Sequence, residues 1–232
     1  MIRRGRWSLC YKQDNVFIKE YLYPDLLAIQ RETSASRVVQ GAGIRTPGFI
    51  DTVECGGKTC SVFEYCDIEH INYATVLDVP KYLEQVNGML NAFGKIQWDC
   101  NDAYWFRQLE EFDNVLGFVY DDTSRLLDYL RGLELNCFVH GDFTCDNIGR
   151  VSDDIIVYDF QHASLGPAGW DKAYFAATVP PQKCSVLGLD AKECEMAFVI
   201  SAIRYGRGLR KSSVDLSERE SLYCLWKDCV KW

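Results

Sequence analysis

"CFVHGDFTCDNIG", residues 137–149, sets a histidine, two aspartates and an asparagine directly after an apolar Cys-Phe-Val run. Buried polar groups left without partners cost roughly 1–3 kcal/mol each. Such a stretch is therefore either a surface turn or a site whose ligands satisfy it. Asp and Asn are common turn formers, so the segment alone does not decide. Its surroundings do. The spacing is His140-x-Asp142-x-x-x-x-Asn147, and a short strand pair follows that ends in "VYDF", on Asp159. An aspartate in a loop with an asparagine five residues on can divide two tasks. Asp142 can orient and deprotonate a hydroxyl, and Asn147 can offer a neutral oxygen to a metal. Asp159 can complete the coordination of Mg2+, which accepts sparse protein ligation because it keeps waters and binds substrate phosphates.

Upstream, "VFIKEY" places Lys19 in an apolar strand, and Glu32 follows thirteen residues later on a predicted helix. A lone strand lysine usually faces solvent, but a strand lysine paired with a helix glutamate is one way to grip α- and β-phosphates. A competing signal, "GGKT" at 56–59, has the tail of a P-loop. That motif needs a glycine five positions before Gly57, where Thr52 stands, and a helix after it, where "CSVFEYC" reads as strand. It is a hairpin turn.

The first third alternates like sheet. "WSLCYK", the polar turn "QDN" and "VFIKEY" form one hairpin, and "GFIDTVECGGKTCSVFEYC" a second with Gly56-Gly57 at its turn. Between them, Pro24 can open a helix on which Leu26, Leu27, Ile29, Val38 and Val39 offer apolar positions and which ends at Gly41 or Gly43. From about Thr75 to Gly132 the period is helical, through Leu83, Val86, Met89, Leu90 and Phe93, then Phe106, Leu109, Phe112, Leu116 and Val119. Residues 168–232 are helical again, broken at Pro180-Pro181 and at 188–190. A sheet lobe followed by a helical lobe is an α+β arrangement, with its seam near Cys66–Ile71.

The totals narrow the function. Twenty-five basic and thirty-three acidic residues give 25 − 33 = −8, which argues against nucleic acid as a partner. Eleven cysteines without a C-x-x-C pair, and only three histidines, leave little for a zinc site and fit reduced thiols in a cytoplasmic protein. No apolar run approaches the ~18 residues of a membrane span.

With these residues in place, the chain resembles the aminoglycoside phosphotransferase and choline-kinase group of protein-kinase-like folds. The likeness is carried by "VHGDFTCDNIG" and "IIVYDFQHASLGPAGWDKA", where Gly166, Pro167, Asp171 and Ala173 match the turn that follows the metal-binding strand. It is specific over about 137–175, looser over 16–66 and weak in the helices. The resemblance implies a bilobal fold, with a small antiparallel-sheet, nucleotide-binding lobe at 1–66 and a larger, mainly helical catalytic and substrate lobe at 67–232. It also implies ATP, or GTP in its place, and Mg2+. Asp142 would be the catalytic base, Asn147 its catalytic-loop partner and, with Asp159, a Mg2+ ligand. Lys19 would grip phosphate with Glu32 behind it. Glu64, Tyr65 and Cys66, within "FEYCD" at 63–67, would form the hinge that pairs with adenine. His140 would be structural, and Asp171 would stabilise the turn.

Two features depart from that pattern. Only eighteen residues precede Lys19, too few for a full first strand, glycine-rich loop and second strand, and Gly5 alone stands where the loop would turn. "GRWSLCYKQDNVFIKEY" also looks like a group of small kinase-like bacterial proteins of the PhoP-regulated type.

Between Asp159 and the turn at Gly166–Asp171 the chain has no room for the activation segment on which a peptide docks, so a small-molecule acceptor is expected. Asp67, Glu69, Asp99, Asp102, Glu110 and Glu111 lean towards a cationic one. The alternatives are a minimal kinase acting on a protein and a non-catalytic, kinase-like nucleotide-binding regulator.

Overall fold

The computed structural model describes residues 2–4, 8–22, 26–99, 104–117, 119, 123–210 and 216–230. The chain forms two compact units, Met1–Asn72 with Cys145–Ala163, and Tyr73–Thr144 with Ser164–Trp232.

The first unit is built on a five-stranded antiparallel sheet. Its strands are β1 (Ile2–Arg4), β2 (Ser8–Gln13), β3 (Val16–Tyr21), β4 (Phe49–Cys55) and β5 (Lys58–Glu64), in the order β1-β2-β3-β5-β4. Gly56 and Gly57 both take positive φ, 59° and 79°, as the tight β4–β5 hairpin requires, so "GGKT" is the expected turn. Two strands do precede β3, contrary to the expectation that eighteen residues are too few. Strands of three and six residues suffice, because each pairs along its whole length with its neighbour. Gly5, the expected turn glycine, lies outside the described residues.

Helix α1 (Leu26–Gly41) follows β3, and Pro24, expected at its start, also lies outside the described residues. Its packing bears out part of the apolar reading, burying Ile29 and Val39 but not Leu26 and Leu27. Leu26 and Leu27 are 60% and 48% exposed, whereas Arg31, Glu32, Thr33 and Ser36 are buried beside Ile29, Ala35 and Val39. The inner face carries polar groups that meet partners there: Arg31 Nε donates to Gln161 O at 3.3 Å, and Ser36 Oγ to Pro47 O at 3.0 Å.

After the short β6 (Glu69–His70), the pieces around the opening motif divide. β7 (Cys137–Val139) and β10 (Ser164–Gly166) pair in the second unit, while β8 (Ile148–Val151) and β9 (Asp154–Val157) join the first. The sequence reading places 145–163 in the later lobe. Here it groups with the N-terminal residues because β8 pairs with β6, Glu69 opposite Arg150 and His70 opposite Gly149. A Cβ on Gly149 would stand 2.3 Å from Ile68 Cγ2 and 2.9 Å from Glu69 O, so this close pairing needs glycine.

The second unit is mainly helical: α2 (Tyr73–Asp78), α3 (Pro80–Phe93), α4 (Tyr104–Leu116), α5 (Thr123–Arg131), α6 (Trp170–Ala176), a 3₁₀ stretch (Pro181–Leu187), α7 (Ala191–Leu209) and α8 (Ser217–Cys229). The helical period holds, with Val86, Met89, Phe93, Leu109, Phe112 and Leu116 all buried. Aromatic rings fill the core edge to face, Phe93 against Phe138 at 5.5 Å and Trp105 against Trp170 at 4.8 Å between centroids. α7 opens on a capping box: Asp190 accepts from the Glu193 N–H at 2.7 Å and its own N–H reaches Glu193 Oε2 at 2.9 Å. Ten described cysteines are free thiols. No helix among the described residues is long and apolar enough to cross a membrane.

Candidate active site

The first unit buries one ammonium between two carboxylates. Lys19 is 4% exposed. Its Nζ donates to Glu32 Oε1 at 2.7 Å and Oε2 at 2.9 Å, and to Asp159 Oδ1 at 2.7 Å. The strand period sets this up. Lys19 and Tyr21 share one face of β3, and the Tyr21 hydroxyl donates to Glu32 Oε2 at 2.6 Å and lies 3.1 Å from Ser61 Oγ. Burial works against the Lys19 charge, but Asp159 and Glu32 outweigh it and hold its pKa well above that of an ordinary lysine. Burial pushes the Glu32 carboxyl up, against the pull of Lys19. One positive charge thus serves two negative ones.

Asp159 sits just past β9 with φ 67° and ψ 61°. The left-handed region is costly for most residues, and Asp is among the few that tolerate it. This kink turns the chain out of β9 into a 3₁₀ turn at Phe160–His162. Asn147, 7% exposed, immediately precedes β8. Ile148 pairs with Val157, and the Tyr158 N–H donates to Asn147 O at 3.0 Å. The hairpin register therefore brings Asn147 and Asp159 to the same end of the β8–β9 pair.

At the expected hinge, two of three N–H groups are spent within the fold. Glu64 N–H donates to Gly48 O at 2.8 Å and Tyr65 N–H to Asn15 O at 3.1 Å. The Cys66 N–H has no hydrogen-bond partner among the described residues.

Asp142 belongs to the second unit, on a loop held from beneath by Asp171. The buried Asp171 carboxylate accepts the His140 N–H at 2.7 Å and the Gly141 N–H at 3.0 Å. Burial pushes the Asp171 carboxyl up, opposed by His140 and these two N–H groups. Gly141 takes φ 82° to complete the bend, and the Asp142 N–H donates to His140 Nδ1 at 3.3 Å. His140 is fully buried, with its ring 5.9 Å from that of Phe143 in an edge-to-face arrangement. Gly166, two residues beyond Ser164 in β10, lies so close to β7 that a Cβ would fall 2.6 Å from Val139 Cγ2.

Two neighbours escaped the sequence reading. Tyr21 contacts Glu32 and could have been found from its place two residues after Lys19 in a strand. Tyr174 feels the Asp142 charge, and it stands three residues after Asp171 on α6, one helical turn along. Burial and the Asp142 charge push the Tyr174 hydroxyl up to about 12.

An antiparallel sheet with a single helix and a buried lysine–glutamate pair, followed in the chain by helices and then an H-x-D-x-x-x-x-N loop, is a protein-kinase-like α+β fold. Residues 21–188 match the phosphotransferase enzyme family, and the chain belongs to it. Solved structures share the fold. A choline/ethanolamine kinase family protein from Mesorhizobium loti is 12% identical, with a TM-score of 0.71 over 100% of this chain and 88% of that one. An amicoumacin kinase in complex with AMP-PNP and Ca2+ is 13% identical, with a TM-score of 0.69 over 99% and 87%. A thermostable mutant of the aminoglycoside phosphotransferase APH(4)-Ia, in a ternary complex with ADP and hygromycin B, is 14% identical, with a TM-score of 0.70 over 99% and 92%. No curated protein matches the chain by sequence.

Proposed function

We propose that the protein transfers the γ-phosphoryl group of ATP to a hydroxyl of a small molecule. The observation that carries this reading is the buried Lys19 ammonium held by both Glu32 and Asp159. A purely structural ion pair does not need a second, 31% exposed carboxylate, whereas a site that grips nucleotide phosphates and a metal uses one. Lys19 binds phosphate and Glu32 orients it. The Cys66 N–H pairs with the nucleotide base, flanked by Glu64 and Tyr65. Asp142 takes the proton from the acceptor hydroxyl.

A carboxylate and an amide oxygen at one end of a hairpin are a donor set that suits Mg2+, which draws its remaining ligands from water and phosphate. Asn147 and Asp159 would hold the ion, which when bound neutralises charge on the phosphates. Ten residues, 160–169, join Asp159 to α6, and they are taken up by the 3₁₀ turn, β10 and the bend at Gly169. That leaves no platform for a peptide and favours a small acceptor. The complexes of fold relatives with hygromycin B and with AMP-PNP agree with this reading. The acidic residues behind a cationic acceptor are partly neutralised: Glu69 pairs with Arg150 and Glu111 with Arg207, while Asp102 lies outside the described residues.

Thermal-shift titration with Mg-ATP and Mg-GTP tests the site, on the wild type and on Asp159→Asn. A ligand at about a hundred times its Kd stabilises by about 2.7 kcal/mol, enough to read from a melting curve. The expected result is a magnesium-dependent rise in Tm with ATP that the variant loses. A wild type indifferent to millimolar nucleotide would sink the proposal.

A further inference from the structure

Arginines gather at Tyr174, the tyrosine that feels the charge of the proposed base. Tyr174, which feels the Asp142 charge, carries Arg204 of α7 over its ring, with Cζ 5.7 Å from the centroid. Arg207, three residues further along α7, lies close enough for Tyr174, Glu111 and Asp142 all to raise its pKa against the effect of burial. Arg219 of α8 donates from Nη1 to the Arg204 carbonyl at 3.1 Å. Three guanidinium groups thus gather around one tyrosine in a chain whose net charge is −8.

Their charges are unevenly compensated. Arg207 Nε donates to Glu111 Oε1 at 3.2 Å, and its guanidinium stands 5.5 Å from the Phe112 ring. Arg204 has no carboxylate partner among the described residues, and the hydrogen bond of Arg219 goes to a neutral carbonyl. Burial lowers the Arg219 pKa and repulsion from Arg204 lowers it further, against the weaker pull of Tyr174 and Glu218. Arg204 and Arg219 are both half-buried, so a ligand can reach them while water screens them only in part. Like charges held this way are relieved by an anion, and the planar guanidinium fork suits a carboxylate or a phosphate.

We infer that the acceptor is itself an anion, a small hydroxyl compound whose phosphate or carboxylate group is held by Arg204 and Arg219 while its hydroxyl meets Asp142. This rests on the phosphotransferase reading above. The acceptor oxygen forms a bond to the γ-phosphorus and the bond from that phosphorus to the β,γ-bridging oxygen breaks. ADP leaves with the bond electrons, and the hydroxyl proton passes to Asp142. Such a site opposes a polycationic acceptor, because a like charge brought to Arg204 meets a guanidinium with no carboxylate partner among the described residues.

Anion binding is measured first without nucleotide, so that it stands apart from catalysis. Inorganic phosphate and acetate are titrated calorimetrically at constant ionic strength, with chloride as the control, against wild type, Arg204→Gln, Arg219→Gln and, in the first unit, Arg150→Gln. The expected result is binding to wild type and to Arg150→Gln, weakened by about tenfold or more in the other two, the loss of one charged hydrogen bond. Arg204→Lys, which keeps the charge, covers the case of a glutamine variant that fails to fold, and should retain part of the binding. ATP turnover is then followed with sugar phosphates, hydroxycarboxylic acids, neutral polyols and aminoglycosides, the first two separating phosphate from carboxylate. With the productive acceptor, Arg204→Gln should raise KM about tenfold and leave kcat far less changed. Turnover of a neutral or cationic acceptor with unchanged KM in Arg204→Gln would overturn the inference, as would anion binding that ignores Arg204 and Arg219. Anion binding that depends on these arginines in a protein that ignores Mg-ATP would keep the anion site and remove the phosphotransferase reading instead.

Discussion

Lys19 and Asp159 are 140 residues apart in the chain, and the lysine Nζ donates to Asp159 Oδ1 at 2.7 Å. The same nitrogen is 2.7 Å from Glu32 Oε1. The trio carries one positive and two negative charges, and the surplus negative charge sits on its most exposed member, Asp159, at 31%. A metal ion arriving with nucleotide phosphates would meet that surplus, and the buried Glu32 would stay with the lysine.

Lys19→Met should therefore destabilise the fold as well as abolish nucleotide binding. Removing one partner of a buried pair costs about 3–5 kcal/mol, and the partial exposure of Asp159 points to the lower end. Adding Glu32→Gln to Lys19→Met should recover part of the loss, because it removes the stranded buried charge. Urea unfolding of the two single variants and the double variant measures the coupling; strictly additive effects would mean that Lys19 and Glu32 do not act as a pair.

Stability should fall at alkaline pH in two stages. Burial pushes the Cys145 and Cys184 thiols up to about 12, so they stay neutral in the folded chain while the unfolded chain ionises them from its ordinary value of 9.0. The unfolded state then holds fewer protons, and stability declines as pH rises from about 9 to about 12. Lys19 adds a second stage. Its folded pKa is raised above 10.5, so its contribution is complete below 10.5 and is lost as pH climbs through the folded value. Urea midpoints across this range should show a shallower first decline in a Cys145→Ala/Cys184→Ala variant, and no second stage in Lys19→Met.

What was legible in the sequence was local. The turn at Gly56-Gly57, the strand that carries Lys19 and the loop from His140 to Asn147 each announce themselves within a dozen residues, through turn chemistry or alternation. Helix α1 misleads because its buried face carries Arg31, Glu32 and Ser36, so apolar periodicity points to Leu26 and Leu27, which are exposed. The grouping of 145–163 with the N-terminal sheet depends on Glu69 meeting Arg150 across 81 residues, which no local pattern encodes. Nor does any spacing place Arg204, Arg207 and Arg219 around Tyr174, since two helices must pack before the three charges meet.

The loop that carries Asp142 should loosen in Asp171→Asn. The carboxylate accepts two backbone N–H groups, from His140 and Gly141, whereas an amide turns its NH2 group towards one of them. Each hydrogen bond to a charged group contributes about 1.5–3 kcal/mol, so a loss in that range is expected. Hydrogen exchange at the His140 and Gly141 amides should accelerate while α7, on its own capping box, keeps its protection. Unchanged exchange at both amides would mean that Asp171 does not hold the loop.

Asp142→Asn separates chemistry from binding. The asparagine is nearly the same size and keeps an acceptor oxygen, so the second unit should keep its stability to within about 1 kcal/mol. Lys19, Glu32, Asn147 and Asp159 are untouched, and the Mg-ATP shift in Tm should persist. What disappears is the group that accepts the hydroxyl proton, and positioned general bases contribute about 10²–10⁴-fold to rate. Steady-state turnover with a productive acceptor should therefore show kcat lowered by about that factor, with KM for ATP little changed. A variant that loses the nucleotide shift along with turnover would assign Asp142 to binding, and one that keeps wild-type kcat would remove it from the reaction.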